Sequence, residues 1–318
     1  MPISLTPEGA ATELRARGRD PRDVVALSGG LWSAAFAFVE DGRDYVVRFH
    51  ERRDDLEKDR FAYRWNSPRV RTPRIVEIGD MPQGAYGISE RVHGTELDAA
   101  DEAGMRAVLP SLFDTLDALR EADVTGTTGY GLWHGDGRGE HATWSEALMR
   151  SERTAPGGRE QARDELARSG MRLDEYDAGI VGIRELLPFQ SAERHVVHND
   201  LLYHNVFVDS KGVILLDWGA SIFGDFVYDL ALLTFWWPWY RGLWGGIDIR
   251  AELSRHLEKS GGTIPRLAER LRACELDIGT SHIVFQASRG MLDEARWTAA
   301  RTLAVLKAPL RVSWTDRG

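Results

Sequence analysis

Residues 195–217 constrain this chain more than any other stretch. Val196-Val197, Val206-Phe207-Val208 and Val213-Ile214-Leu215-Leu216 have the β-branched and aromatic character of short strands, and Asp209-Ser210-Lys211-Gly212 joins the last two as a turn. The polar residues gather between and after those strands, in His198-Asn199-Asp200-Leu201-Leu202-Tyr203-His204-Asn205 and in Asp217-Trp218-Gly219. Asp200 precedes Asn205 at a spacing that lets one loop hold a base beside an acceptor while an amide oxygen reaches a metal. Asp217, at the end of the following strand, can add a hard oxygen ligand for Mg²⁺ at the same cleft. Phosphoryl transfer from a nucleotide asks for such groups, because it depends on a positioned acceptor hydroxyl and divalent metal more than on covalent work by the protein. Taken singly, each of the three is also a common turn or helix-capping residue.

The rest of the composition narrows the classes open to such a site. With 318 residues, 43% apolar and 28% charged, the chain has material for one large or two modest cores. No apolar run approaches the ~20 residues that span a bilayer, and MPISLTPEGA lacks the basic start and apolar stretch of a secretion signal, so a cytoplasmic location without membrane contact is expected. Cys274 is the single cysteine, which excludes an intramolecular disulfide and cysteine-rich metal sites. His134, His141 and His204 lack the spacing of a metal set. A net charge of -9 disfavours nucleic acid as a partner and suits a cationic ligand.

Upstream, residues 23–27, 36–39 and 45–49 read as strands around the small-residue segment Ser28-Gly29-Gly30-Leu31-Trp32-Ser33, with Asp41-Gly42 as a hairpin turn. A helix is expected over 56–65, ended by Pro68 and Pro73, and then strands near 75–78 and 86–92. The sum is a small, strand-rich N-terminal lobe. Leu109, Leu112, Phe113, Leu116 and Leu119 recur at helical spacing and open a helix-rich second part, with Pro110 a candidate kink. Glycines 126, 129, 131, 135, 137 and 139 predict a long irregular loop over 123–139, and the charged segment 157–170 a solvated helix or mobile insertion. Beyond Asp225 the chain reads as helical.

On these motifs, and on Gly224-Asp225-Phe226-Val227-Tyr228-Asp229-Leu230-Ala231, the chain resembles the aminoglycoside phosphotransferase and choline kinase-like superfamily, whose loop runs H-G-D-x-x-x-x-N, then D-[FW]-G, then G-D-x-x-x-D-L-A. Thr128-Gly129-Tyr130-Gly131, Thr143-Trp144, Phe235-Trp236-Trp237-Pro238-Trp239, Tyr45-Val46-Val47-Arg48 and Lys58-Asp59-Arg60 are similar to stretches of the bacterial hygromycin B phosphotransferases. The resemblance covers most of the chain.

It implies a two-lobed, protein-kinase-like α+β fold, with an antiparallel-sheet lobe over 1–92 and a larger, mainly helical lobe over 93–318. It also implies a small-molecule kinase using ATP or GTP with Mg²⁺, acting on a cationic aminocyclitol antibiotic such as hygromycin B, as a monomer or weak dimer. Carried over by position, Asp200 would be the catalytic base or acceptor-orienting group, Asn205 and Asp217 the metal ligands, and His198 a brace for the loop. Ser28, Gly29, Gly30 and Ser33 would cover the phosphates. Val46 would line the adenine pocket, and Arg48, which shares its strand face, would reach the α- and β-phosphates. Asp59, with Glu57 in reserve, would orient Arg48; Ser89, Glu90 and Val92 would lie at the interlobe hinge that holds the nucleobase. Trp236 and Trp239 are candidate acceptor contacts, although such a cluster more often packs helices. The chain departs from the superfamily pattern at Arg48, where lysine is usual, at Asn199 for glycine and at Leu202 for histidine. Two rival functions stand beside this one: a kinase for another metabolite or antibiotic, and a non-catalytic nucleotide-binding protein.

Overall fold

In the computed structural model, which describes residues 5–27, 33–149, 158–201, 203–259, 261 and 264–310, the N-terminal strands sort their side chains by alternation. Helix α1 (Pro7–Arg15) comes first, capped by Thr6, whose hydroxyl accepts the Gly9 amide at 3.1 Å. Strands β1 (Arg22–Ala26), β2 (Ser33–Glu40) and β3 (Arg43–His50) follow. The turn between β2 and β3 puts Asp41 and Gly42 both at positive φ, +50° and +72°, as a tight two-residue hairpin requires. From β3, Val47 and Phe49 enter a small core with Phe36, Phe38, Tyr86, Ile88 and, from α1, Ala10 and Leu14. Val46 and Arg48 project from the other face, half-buried.

That other face is covered by α2 (Arg53–Ala62), whose buried Leu56 lies so close to Gly87 that a methyl group there would stand 3.0 Å from its Cδ2. Strands β4 (Ile75–Met81) and β5 (Gly84–Glu90) complete an antiparallel sheet ordered β1-β2-β3-β5-β4. The expected helix over 56–65 begins three residues earlier and ends in a 3₁₀ turn, Tyr63–Trp65. From there Ala62, Trp65 and Val70 are buried in the larger core that follows.

After a crossing at residues 91–94, β6 (Thr95–Glu96) joins a three-stranded sheet with two strands from residues 206–215, and α3 (Glu102–Glu121) runs through Pro110 as one helix. The glycine-rich stretch expected to be an irregular loop is largely a hairpin, β7 (Tyr130–Trp133) and β8 (Gly139–His141). Gly129, Gly131 and Gly137 hold φ of +71° to +82° in it, so the glycines serve a tightly turned ladder. Helices α4 (Trp144–Leu148), α5 (Gly158–Arg168) and α6 (Asp174–Leu186) follow; α5 buries Ala162 and Leu166, so the segment expected to be solvated has a packed face.

The chain then forms β9 (His195–Val197), β10 (Val206–Asp209), β11 (Gly212–Leu215) and β12 (Ile222–Gly224), the last inserted between β7 and β9. It finishes in α7 (Val227–Trp236), α8 (Arg241–Trp244), α9 (Ile249–Lys259), α10 (Leu267–Ser288) and α11 (Leu292–Lys307). Helix α10 is buried along most of its length between α6, α7 and α11. The result is a two-lobed α+β architecture, with an antiparallel sheet in one lobe and mostly helices in the other. No helix among the described residues is long and apolar enough to cross a membrane.

Candidate active site

The loop after β9 is fixed by buried polar contacts before it presents any group to the cleft. Asp229, in the first turn of α7, accepts the backbone amides of His198 and Asn199, both at 2.9 Å, and burial pushes its carboxyl up to about 7. His198 is fully buried; its Nε2 lies 3.0 Å from the Leu216 carbonyl oxygen and so carries the proton, while burial lowers the imidazole to about 4 and keeps it neutral. Asn199 stands at φ +62°, a conformation that asparagine tolerates better than most residues, and its Nδ2 donates to the Ala220 carbonyl at 2.9 Å. Asp200 follows directly after this bend. Burial is the main cause that raises its carboxyl to about 7; the negative charge of Asp217 adds to it, and a hydrogen bond from the Asn205 side chain opposes it. Asp200 therefore lies beside Asn205 and within electrostatic reach of Asp217.

Asp217 follows β11 at φ +58°, ψ +78°, again in the left-handed region, and its Oδ1 accepts the Gly219 amide at 3.3 Å. Its side chain keeps 42% exposure, with Arg48 Nη1 3.4 Å from Oδ2. Burial pushes this carboxyl up, but the Arg48 guanidinium and the Gly219 amide outweigh it and leave it below the usual carboxylate range. An ionised, open carboxylate and the side-chain amide of Asn205, both acting on Asp200, are hard-oxygen donors of the kind that fits Mg²⁺. Asp59 of α2 takes Arg48 on Oδ2 and the Trp218 amide on Oδ1, the latter at 2.7 Å, so one carboxylate ties the β3 cation to the Asp217 turn. Glu57 instead pairs with Arg53 and Arg60.

The remaining candidates are dispersed around this centre. Val46 lies between Ala37 and Ser89 in the sheet, on the Arg48 face. Ser89 and Glu90 end β5, with the Glu90 amide donating to the Arg74 carbonyl at 3.0 Å, and Val92 lies in the crossing segment. Ser33 opens β2 opposite His50, whereas Ser28, Gly29 and Gly30 lie outside the described residues. Trp236 is 6% exposed and stacks on Trp297 at 5.6 Å; Trp239 is 40% exposed, with its ring edge-on to Trp297 at 5.0 Å.

Two residues given no role of their own by the sequence also stand near this centre. Lys58, buried in α2, donates to the carbonyls of Gly219 at 2.7 Å and Ser221 at 3.0 Å. His204, next to Asn205, has Nδ1 2.6 Å from Glu96 Oε2, and with Asp98 these form a group whose possible ligand atoms lie within 4.8 Å of one another. The hydrogen bond to Glu96 raises the imidazole, with the Glu96 and Asp98 charges adding to it. The only sequence signal for Lys58 is its place beside Asp59, since its acceptors lie 161 and 163 residues away.

Similarity to known proteins bears on the fold and the reaction class. The family model described as "Phosphotransferase enzyme family" matches residues 23–270. Hygromycin-B 4-O-kinase of Escherichia coli is 29% identical over 293 residues, which cover 90% of this chain and 81% of that protein. Among solved structures, aminoglycoside phosphotransferase APH(4)-Ia aligns with a TM-score of 0.80 at 28% identity, over 96% of this chain and 100% of that one. A thermostable mutant of it, in ternary complex with AMP-PNP and hygromycin B, aligns at 0.79 and 27% identity, over 93% and 97%.

Proposed function

Because this chain belongs to the phosphotransferase enzyme family and is a kinase, we propose that it moves the γ-phosphoryl group of ATP to a hydroxyl of a cationic aminocyclitol antibiotic of the hygromycin B kind. The observation that carries this reading is the environment of Asp200, on whose carboxyl the Asn205 amide and the Asp217 charge both act. In this reading the nucleotide occupies the cleft between residues 1–92 and 93–318. Val46 faces the base, the backbone around Ser89, Glu90 and Val92 pairs with its edge, and Ser33 with the preceding Ser28-Gly29-Gly30 segment covers the phosphates. Arg48, already held by Asp59, turns its remaining donors to the α- and β-phosphates; a guanidinium suits that task because its fork matches phosphate oxygens.

A magnesium ion held by Asp217 and Asn205 would balance the phosphate charge. Asp200 orients the acceptor hydroxyl and takes its proton as the oxygen attacks phosphorus and the bond to the β-phosphate oxygen breaks. Its raised carboxyl favours holding that proton after transfer. Glu96 and Asp98, beside the His204 that precedes Asn205, place acidic groups next to the catalytic loop, which favours a positively charged acceptor. Trp239 offers an exposed ring to such an acceptor, packed edge-on to Trp297, on which Trp236 stacks.

An acceptor screen with coupled ADP detection tests the reading. Turnover with hygromycin B supports it, and turnover only with other acceptors shifts it to a different metabolite. Magnesium-nucleotide binding without turnover on any acceptor replaces it with a non-catalytic role. On the productive acceptor, Asp200→Ala should lose about 10²–10⁴-fold in kcat with nucleotide affinity kept. Asp217→Ala should weaken magnesium-nucleotide binding itself. Near-normal turnover by Asp200→Ala defeats the assignment.

A further inference from the structure

We propose that Lys58 is a positioning residue for phosphoryl transfer: its single buried ammonium, shared between the carbonyl oxygens of Gly219 and Ser221, holds the turn that aims Asp217 at the metal. This inference rests on the proposed function, since it assigns the residue that shapes that site's metal-receiving turn.

Three of the turn's carbonyls are taken by neighbours other than Lys58. The Leu216 carbonyl accepts from His198 at 3.0 Å, the Trp218 carbonyl from the Ser221 amide at 2.9 Å and hydroxyl at 2.5 Å, and the Ala220 carbonyl from Asn199 at 2.9 Å. The carbonyls of Gly219 and Ser221 are served instead by Lys58 Nζ, at 2.7 and 3.0 Å. The adjacent α2 residue, Asp59, accepts the Trp218 amide at 2.7 Å. Neighbouring side chains of one helix thus grip opposite poles of the same short turn.

Nothing in the surroundings of Lys58 suggests that it is there for packing alone. It is 1% exposed, and both of its hydrogen bonds among the described residues go to backbone oxygens and none to a carboxylate. The Trp133 ring face lies 4.8 Å from Nζ, a cation–π contact that keeps the charge in place. Burial lowers the ammonium to about 8, with Asp55 and Asp54 opposing, so it stays protonated at neutral pH. A buried charge is costly unless it is well bonded. A compact three-hydrogen head can serve two carbonyls and a ring face together, which a planar guanidinium cannot do in the same space. Without those donors the Gly219–Ala220 peptide loses its anchor, and the turn that presents the Gly219 amide to Asp217 Oδ1, 3.3 Å away, is held on its Trp218 side alone. The carboxylate then loses its aim, although it remains in the molecule.

The test measures AMP-PNP affinity by calorimetry, with magnesium and again in EDTA, on wild type and Lys58→Met. The expected result is a loss of about tenfold or more with magnesium and little change in EDTA, in the range seen when partners behind a metal ligand are removed. Equal affinities in the two proteins, or equal losses with and without magnesium, overturn the inference, because a merely structural lysine would not separate the two conditions. Should Lys58→Met not fold, Lys58→Arg takes its place under the same outcomes: it keeps the charge but cannot serve both carbonyls. If wild type phosphorylates an acceptor while the variant matches it in both conditions, only the inference about Lys58 fails. If wild type shows no magnesium-dependent nucleotide binding, the inference falls together with the proposed function.

Discussion

Asp229 touches neither substrate nor metal in the proposed mechanism, yet it decides whether the catalytic loop exists. Its two oxygens are the acceptors for consecutive amides at His198 and Asn199, the second of which is in the left-handed region. With the folded carboxyl raised to about 7 against 3.8 unfolded, the native state keeps the proton longer than the unfolded chain does. The stability associated with this group is therefore fully present below about pH 4 and is lost as pH rises toward 7. Asp229→Asn should flatten that decline: urea midpoints at about pH 5 and pH 7.5 should differ less than in wild type, and an equal difference would refute the assignment. At this scale the sequence was legible where chemistry is packed into neighbouring positions. His198, Asp200, Asn205 and Asp217 lie in one strand–loop–strand unit, so spacing alone brings them to attention. Lys58 was quoted only as part of a resemblance, because its acceptors are far away in sequence and are backbone oxygens that no side-chain pattern records.

The elements repeat that contrast. Apolar spacing exposed the core of α3, but not that the helix begins at Glu102 and passes through Pro110 without a break. Pro110 is exposed and cannot donate to the Arg106 carbonyl, so the helix tolerates a lost bond where tertiary contacts hold its buried face. Pro110→Ala should stabilise the fold by about 1 kcal/mol, part of the helical gain being offset by a more flexible unfolded chain, and raise Tm by roughly 2–4 °C. A fall in Tm would show that the proline is needed. The β7–β8 hairpin escaped notice for the opposite reason. Its glycines look like loop breakers in sequence, whereas the pairing of β7 with β12 is set by residues about 90 positions downstream and turns those left-handed residues into a ladder. The hairpin's turn also reaches α2: the Gly135 amide donates to Asp54 at 2.9 Å, and a methyl group at Gly135 would stand 2.3 Å from Glu57 Cβ.

For the molecule as a whole, the two-lobed α+β architecture was legible because strand-rich and helix-rich stretches are segregated along the chain. The way the lobes are joined was not, since it runs through residues with no special pattern. Arg71, before β4, makes a two-pronged contact with Asp209 on the β10–β11 hairpin, 2.6 Å on each side, while the Leu215 amide donates to the Arg71 carbonyl at 2.8 Å. The guanidinium holds the Asp209 carboxyl down at about 2, so the stability it lends is present above about pH 4 and is lost as pH falls through 2. Arg71→Ala should lower stability by about 1 kcal/mol near neutrality, and the gap to wild type should close in acid; a gap that does not change with pH would assign the loss to packing instead. Helix α2 has the larger consequence. It lies on the upper sheet, yet Lys58, Asp59 and Ala62 are fastened to the lower lobe. Swinging this helix outward would pull the Lys58 ammonium off the Gly219 and Ser221 carbonyls and leave those oxygens without their donor. Opening for nucleotide exchange should therefore leave α2 with the lower lobe and tilt the strands above it, and an inhibitor designed to prise that helix away would find no vacant position for it to occupy.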